Sequence, residues 1–555
     1  MKTKRRRSGV VLVLVLVVIA MLTLAGLAFT ELMVVERKAA VVSGQQVQAR
    51  ALAESGVELA RQFLAQDKAV QDEQRGCYNN PELFQGLAVS GDDQSARYGR
   101  VTLVAPYMQD RGAIGVRYGL EDQSAKINLR TLLDAEKTLG QGAAKKVLLG
   151  LPGMTDTVAD CILDWLDEDD TPREYGAESE YYGTLTPAYQ ARNGPPATIE
   201  ELLQVRGVTP QLLLGAAAAA TMPAGNGDAE NGTAEVVVPE DGSMDRGWSA
   251  YLTLYSCEQP AVRADGTAKI NLNQSDMKTL FNALEQEFGT PWATFIVAYR
   301  QNGPVASATG GSSASGTSAK NSGGGAAGQS GGNASAKPGS TTTPAKSGSG
   351  TNATSTGPSP LDLTKSGGTE LTSVLDLVGV RTKTKSSDTA SLPSPFTDDR
   401  GAMSDYLPKL MAATTIGDEP VAGRININQA PRVVLRCLLR ATPGIAEESA
   451  EQLVDQIISK QPIDFSTASP DRQYPTWLLS EGIVDLKTMK AILPLVNTGG
   501  SVYRVEAVGF FDGGGPTARI EAVVDAGKKP ASIVFWRELT YLGRAYPLEV
   551  LGVSQ

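Results

Sequence analysis

The chain has 555 residues, 41% of them hydrophobic, enough for several buried cores. A net charge of −10 and a pI near 5.0 argue against a nucleic-acid partner. The absence of histidine removes Ser-His-Asp and Cys-His catalysis, the HExxH zinc motif and every histidine-ligated metal. Cys77, Cys161, Cys257 and Cys437 lie far apart without a CxxC, which argues against zinc or a redox motif. One or two disulfides of an exported protein stay open, while Cys161 and Cys437 sit in apolar helical patterns that suit buried thiols.

Lys2, Lys4, Arg5, Arg6 and Arg7 precede the uncharged run VVLVLVLVVIAMLTLAGLAF. About twenty apolar residues cross a bilayer as a helix, with the basic end held on the cytoplasmic side. Three readings compete. A signal anchor needs only these two features, a cleaved secretory signal would use the small residues around Gly26-Leu27-Ala28, and a type IV prepilin leader (1–9) would end at Gly9 for cleavage before Val10. The basic block meets the apolar run through Ser8-Gly9, and the helical pattern continues past the membrane. No proline occurs between Glu31 and Asp67, and Val47, Leu52, Val57, Leu59, Phe63 and Leu64 recur at mostly helical spacing. Both features favour the prepilin reading, with one helix over 10–67. Its 10–30 segment would span the membrane and carry Leu14, Leu16, Ile19, Leu22, Leu24 and Leu27 into a filament. Most pilins have Glu at the fifth mature position, where this chain has Leu14. That carboxylate is thought to neutralise the terminal amine of the preceding subunit. A subunit with nothing ahead of it would lack the carboxylate, which is costly when bare in a bilayer.

Residues 68–125 read as the first part of a sheet, since Val101 and Leu103, then Val116 and Tyr118, alternate with polar neighbours. In 498–555 the runs SVYRVEAVGFF, TARIEAVVDA and ASIVFWREL repeat the alternation, separated by the turn signals FDGGGPT and GKKP. Strands at both ends predict one sheet closed by the termini, with the middle of the chain as an insertion.

That middle is built on a recurring unit: KINLRTLLDAEK at Lys126, KINLNQSDMKTLFNAL at Lys269 and RININQAPRVVLRCLL at Arg424. Each has a basic residue, an apolar-Asn pair and a predicted helix, and Asn273 and Asn428 are placed to cap those helices. The first and third units continue into a helix, a tight turn at Leu151-Pro152-Gly153-Met154 or Thr442-Pro443-Gly444-Ile445, and a second helix. This is a helix-hairpin-helix pattern with Gly153 and Gly444 in the turns, and the stretches around Gly207 and Gly379 look like half-hairpins. The expected divisions are a helical domain (126–222), a linker (223–246), a second unit (247–303), a disordered Gly/Ser/Thr/Ala tract (304–368), a short helical segment with a loop (369–423) and a third unit (424–497). Such hairpins often hold DNA phosphates. Here the helices after the turns carry Asp156, Asp160 and Asp164, or Glu447, Glu448, Glu451 and Asp455, which would repel a phosphate backbone.

The densest chemistry is DCILDWLDEDDTPREYGAESEYY. Asp160, Asp164 and Asp167 fall on one helical face and more carboxylates follow at the helix end, against the macrodipole and one another. Asp164, Asp167, Asp169, Asp170 and Glu178 form an oxygen-only set that suits a hard cation such as Ca²⁺. The competing reading is a solvated acidic loop tied to Arg173 and Arg192. A glycosidase pair of carboxylates has no accompanying sugar cleft.

The leader without a fifth-position Glu, QARALAESGVELARQFL, EDQSAKINLRTLL, the acidic run, NGPPATIEELLQVRGV and RININQAPRVVLRCL together resemble general secretion pathway protein K, the large minor pseudopilin of type II secretion systems. The resemblance covers the chain to about residue 220 and again from about 424. It implies an α+β fold in which a type IV pilin-like N-terminal helix packs on an antiparallel sheet, interrupted by mostly helical hairpin domains. It also implies a non-enzymatic subunit cut by prepilin peptidase, anchored once in the inner membrane with its N-terminus cytoplasmic and its bulk periplasmic. Its partners would be minor pseudopilins I and J at the pseudopilus tip, the major pseudopilin, and a secreted substrate or the outer-membrane channel; some family members bind calcium. The unit at Lys269, with WATFIVAYRQNG, and the low-complexity insert are additions to the family pattern. The rival from another class is a membrane-anchored hairpin protein that binds DNA, of the competence type.

Overall fold

The computed structural model describes residues 8–90, 98–109, 112–215, 246–305, 361–386, 390–462 and 470–553. Residues 1–7 of the leader, all of the 223–246 linker except Arg246, and residues 306–360 of the low-complexity tract lie outside the described residues. By contacts the chain divides into two compact units, one of residues 1–274, 371–378 and 396–555, the other of 275–370 and 379–395.

In the first unit, helix α1 (Ser8–Leu64) runs for 57 residues, ending three residues short of the expected 67. Its second half is amphipathic. Ala49, Leu52, Ala53, Val57, Ala60, Phe63 and Leu64 recur about every 3.6 residues and bury one stripe. The stripe lies on an antiparallel sheet of β1 (Leu87–Ser90), β2 (Gly99–Gln109), β3 (Gly112–Tyr118), β4 (Glu121–Asp122), β5 (Val502–Phe511), β6 (Ala518–Asp525) and β7 (Ser532–Glu538). The order is β1-β2-β5-β6-β7, with β3 on β2 and β4 on β5. The first and last thirds of the chain therefore share one sheet, joined by the pairing of Val104 with Glu506 through Gly99 with Phe511.

Strand alternation gives this sheet two faces. Val101, Leu103, Val505, Ala507, Ile520, Ala522 and Val524 face α1. The approach is close because side chains are missing where helix and sheet meet. A Cβ on Gly509 would stand 2.2 Å from the Ala49 carbonyl oxygen, and one on Gly56 2.5 Å from Val101 Cγ2. The opposite face carries Arg504, Glu506, Arg519 and Glu521, all buried or nearly so.

Each of the three units built on an apolar-Asn pair is closed by a clip. Ile127–Asn128 pairs in parallel with Leu252–Thr253, Ile270–Asn271 with Thr414–Thr415, and Ile425–Asn426 with Val496–Asn497. Parallel strands need a long connection, and each unit is that connection. In every case the Asn of the opening strand folds back: Asn128, Asn271 and Asn426 each accept, through Oδ1, from the backbone N–H two residues on, at 2.9, 2.8 and 3.0 Å. This corrects the expected caps. Asp276, not Asn273, caps the second-unit helix, and the third-unit helix starts after Pro431 with no side-chain cap. Asn273 instead donates to the carbonyls of Leu371 and Ile416, while Asn428 donates to Arg472 and accepts from Trp477 Nε1. The second Asn pins a distant segment because the first already satisfies the turn.

In the first unit α2 (Ala143–Leu149) turns at Gly153, φ 69°, into α3 (Asp156–Leu166). Within the second compact unit, α4 (Met277–Phe288) and α5 (Thr290–Asn302) meet at Gly289, φ 86°, burying Leu280, Leu284, Phe295 and Ile296. Helix α6 (Arg400–Ala413) is longer than the sequence suggested. Pro408 masked it, yet Asp399 caps its start and Met403, Tyr406, Leu407 and Leu410 bury its face. In the third unit α7 (Arg432–Ala441) turns at Gly444, φ 86°, into α8 (Glu447–Lys460). The two hairpins dock through Gly150, where a Cβ would stand 2.6 Å from Cys437 Sγ, and Arg436 donates to the Gly150 carbonyl at 3.0 Å. The stretch before Gly207 is a 3-10 turn (Ile199–Gln204), and Val374–Leu377 is another. All four cysteines are free thiols; Cys161 and Cys437 are fully buried, and burial pushes them up to about 11 and about 12.

Candidate functional site

Three places hold the chemistry anticipated from sequence. The first is the N-terminal half of α1. Leu14, Leu16, Ile19, Leu22, Leu24 and Leu27 are 56% to 70% exposed, and no carboxylate precedes Glu31. A naked apolar helix is stable only inside a bilayer or against other apolar helices. Among the described residues this is the one helix long and apolar enough to cross a membrane. Gly9 and Val10 sit in its first turn.

The second is the acidic loop after α3. Asp164 is fully buried, and Arg173 Nη1 donates to it at 2.7 Å and to Asp167 at 2.5 Å. The chain wraps Asp164 so tightly that a Cβ on Gly176 would overlap its Oδ2. Carboxylate oxygens of Asp164, Asp167 and Glu178 lie within 4.8 Å of one another. Burial, then Asp164 and Asp167, pushes Glu178 up to about 7. Neither Glu178 oxygen, nor Asp167 Oδ1, has a hydrogen-bond partner among the described residues, although all three are buried. Three converging carboxylates against a single guanidinium, with three orphaned oxygens, fit a hard divalent cation.

Two expected ligands fall outside this group. Asp169 Oδ1 caps its own turn at Thr171 N, and Asp170 accepts from Ser179 Oγ and Asn193 Nδ2. Asp160 belongs to another pair, with Lys145 at 2.9 Å, and Arg192 reaches Glu201 rather than the loop.

The third is the hairpin pair. The carboxylates of α8 that were expected to repel phosphate are matched by arginines at four-residue spacing on α7. Arg432 meets Asp455 at 2.6 Å, Arg436 meets Glu451 at 3.9 Å, and Arg440 meets Glu447. This ladder holds the two helices together, which is a use of the charges within the protein.

Sequence reasoning missed a further cluster on the charged face of the sheet. Arg504 bridges Glu121 at 3.3 Å, Glu506 at 3.1 Å and Glu521. Arg519 reaches Glu506 and Arg537 reaches Glu521, both at 2.6 Å, while Lys126 pairs with Glu121 at 3.0 Å. Glu506 and Glu521 stand directly opposite in the ladder, a repulsive placement that the arginines offset. The only signal was the alternation R-x-E in two neighbouring strands.

A membrane-length helix whose second half packs on an antiparallel sheet, with a helical insertion between the strands, is a type IV pilin-like fold. Residues 125–218 match the family described as Type II secretion system (T2SS), protein K. The type II secretion system protein K of Pseudomonas aeruginosa is 30% identical over 207 residues, 36% of this chain and 57% of that protein. A putative type II secretion system protein K of Escherichia coli K12 is 39% identical over 57 residues, 10% of this chain and 17% of that protein. Among solved structures, that of the GspK-GspI-GspJ complex from enterotoxigenic Escherichia coli aligns over 89% of this chain and 97% of that one, with a TM-score of 0.36 and 9% identity. Residues 125–218 thus carry a domain similar to protein K of type II secretion systems, and the chain's matches span 57% and 17% of the two curated relatives' lengths.

Proposed function

We propose that this protein is a minor pseudopilin that starts or caps the pseudopilus tip of a type II secretion system, serving protein export across the outer membrane. The observation behind this reading is α1, an exposed apolar helix with no carboxylate before Glu31 that continues into the core of the sheet. Packed among neighbouring helices it would join a filament, and Leu14 in place of the usual Glu leaves no partner for a terminal amine above it. The helical insertion would then block further addition. The protein would sit once in the inner membrane, N-terminus cytoplasmic and bulk periplasmic, beside minor pseudopilins of the I and J type and the major pseudopilin. A head of this size also has room to touch a secreted substrate or the outer-membrane channel. Mass spectrometry of the membrane-extracted chain, with and without prepilin peptidase, tests the first step. A start at Val10 that requires the peptidase is expected; an intact Met1, or a start near Phe29, would leave only an anchored or secreted protein.

The same reading assigns Ca²⁺ to Asp164, Asp167 and Glu178, where it would neutralise the carboxylates that close the acidic loop. Calcium at a hundredfold excess over its Kd should stabilise the chain by about 2.7 kcal/mol, seen as a higher melting temperature that EDTA reverses. In Glu178→Gln the calcium response should disappear while the EDTA-treated protein melts no lower than the wild type, since Glu178 has no hydrogen bond to lose. An unchanged calcium response in that variant would remove the assignment.

A further inference from the structure

The charged face of the sheet borders a cavity of about 170 Å³ walled by Lys126, Arg246, Ser249, Arg504, Glu521 and Arg537, among others. Among the described residues the charges around it do not balance. Lys126, Arg246, Arg504, Arg519 and Arg537 supply five cations, and Glu121, Glu200, Glu506 and Glu521 supply four carboxylates. Lys126, Arg504, Arg519 and Arg537 are all in ion pairs with those four, Arg537 taking both Glu200 and Glu521. Arg246 has no ion pair among the described residues, and its Nη1 is buried without a hydrogen-bond partner. Arg246 is half-buried, with its Nη1 shut away from solvent and beyond ion-pair distance of Glu121, whose carboxylate it attracts; a buried donor left without a partner is costly, and here it lines an open space.

We propose that this cavity binds one small free oxyanion, a carboxylate or a phosphate, against Arg246 and Lys126. One added negative charge completes the count. Guanidinium groups prefer planar or tetrahedral oxyanions, which accept two parallel hydrogen bonds, over a spherical halide. Lys126 is buried with a single ion-pair partner, Glu121, so its ammonium retains donors for the same guest. Thr198, also on the wall, offers a hydroxyl donor, whereas Ser249 Oγ already donates to the Arg246 carbonyl at 2.7 Å.

The test is isothermal titration of the full-length chain in detergent with sodium acetate and with sodium phosphate, ionic strength being held constant with sodium chloride. Saturable binding of at least one of them, one per chain, is expected, with a matching rise in melting temperature. Acetate alone would define a carboxylate site and phosphate alone a phosphate site. Arg246→Gln should weaken that binding at least tenfold, whereas Arg192→Gln, on the Glu201 pair elsewhere, should leave it unchanged. Excluded-salt stabilisation is non-saturable and indifferent to Arg246, so a non-saturable response, or equal binding in Arg246→Gln, overturns the proposal. The wild-type titration decides the matter even if the variant folds poorly.

Discussion

Gly509→Leu is expected to separate α1 from its sheet. Even a Cβ at this position would stand 2.2 Å from the Ala49 carbonyl oxygen and 2.7 Å from Ala53 N, both backbone atoms of α1 that no rotamer change can move aside. Overpacking of a well-filled core generally costs about 1–3 kcal/mol, and a clash with helix backbone belongs at or above the top of that range. Because α1 also carries the membrane segment, the displaced helix would tilt relative to the head. Gly115→Leu is the control, since it lies in the same sheet with nothing within 4 Å of its added Cβ. Melting temperature and near-ultraviolet circular dichroism of both variants are the readout. Equal stability of the two would mean that the close contact at Gly509 is not a constraint on packing.

Arg504→Met should be comparably severe and should also change the response to acid. Among the described residues Arg504 is the only cation shared by Glu121, Glu506 and Glu521, and breaking a buried pair by removing one partner costs about 3–5 kcal/mol. In the intact protein, burial pushes Glu521 up, but Arg504 and Arg537 outweigh it and hold the carboxyl down at about 2, below its ordinary 4.5. Glu121 is likewise held well below the usual carboxylate range by Lys126 and Arg504 against its burial. A carboxylate with a depressed folded pKa binds fewer protons folded than unfolded, so its stabilisation is complete above pH 4.5 and is lost as pH falls toward 2. Denaturant melts of the wild type should therefore show stability declining over that window. The same melts of Arg504→Met should start lower and decline less steeply; an unchanged slope would place the acid sensitivity elsewhere.

The charged network was illegible in the sequence for a definable reason. Alternating Arg and Glu in 502–525 has the pattern of a strand with one wet face, and what covers that face comes from Lys126 and Arg246 to Tyr255, hundreds of residues away. Strand alternation reports two faces but not which of them meets solvent. The helix and the sheet could be read because their periodicities are local and long. The Asn-x-Asn spacing was equally visible, yet the roles were exchanged. The first Asn makes a turn two residues long, and the second reaches partners 44 to 143 residues distant. Likewise the acidic run announced itself by density, while the convergence of Asp164, Asp167 and Glu178 without Asp169 and Asp170 depends on how the chain doubles back at Gly176.

The parallel clips also bear on how such a chain can change over generations. Each opens and closes with two residues set side by side, so the sheet register is blind to the length of what is spliced between them. Extending a loop whose ends are already held together costs only about 0.6 kcal/mol per doubling. The position between Asn271 and Thr414 is thus a socket. Residues gained or shed there leave Ile270 beside Thr414, and lineages can resize the head while the buried stripe of α1 is left untouched.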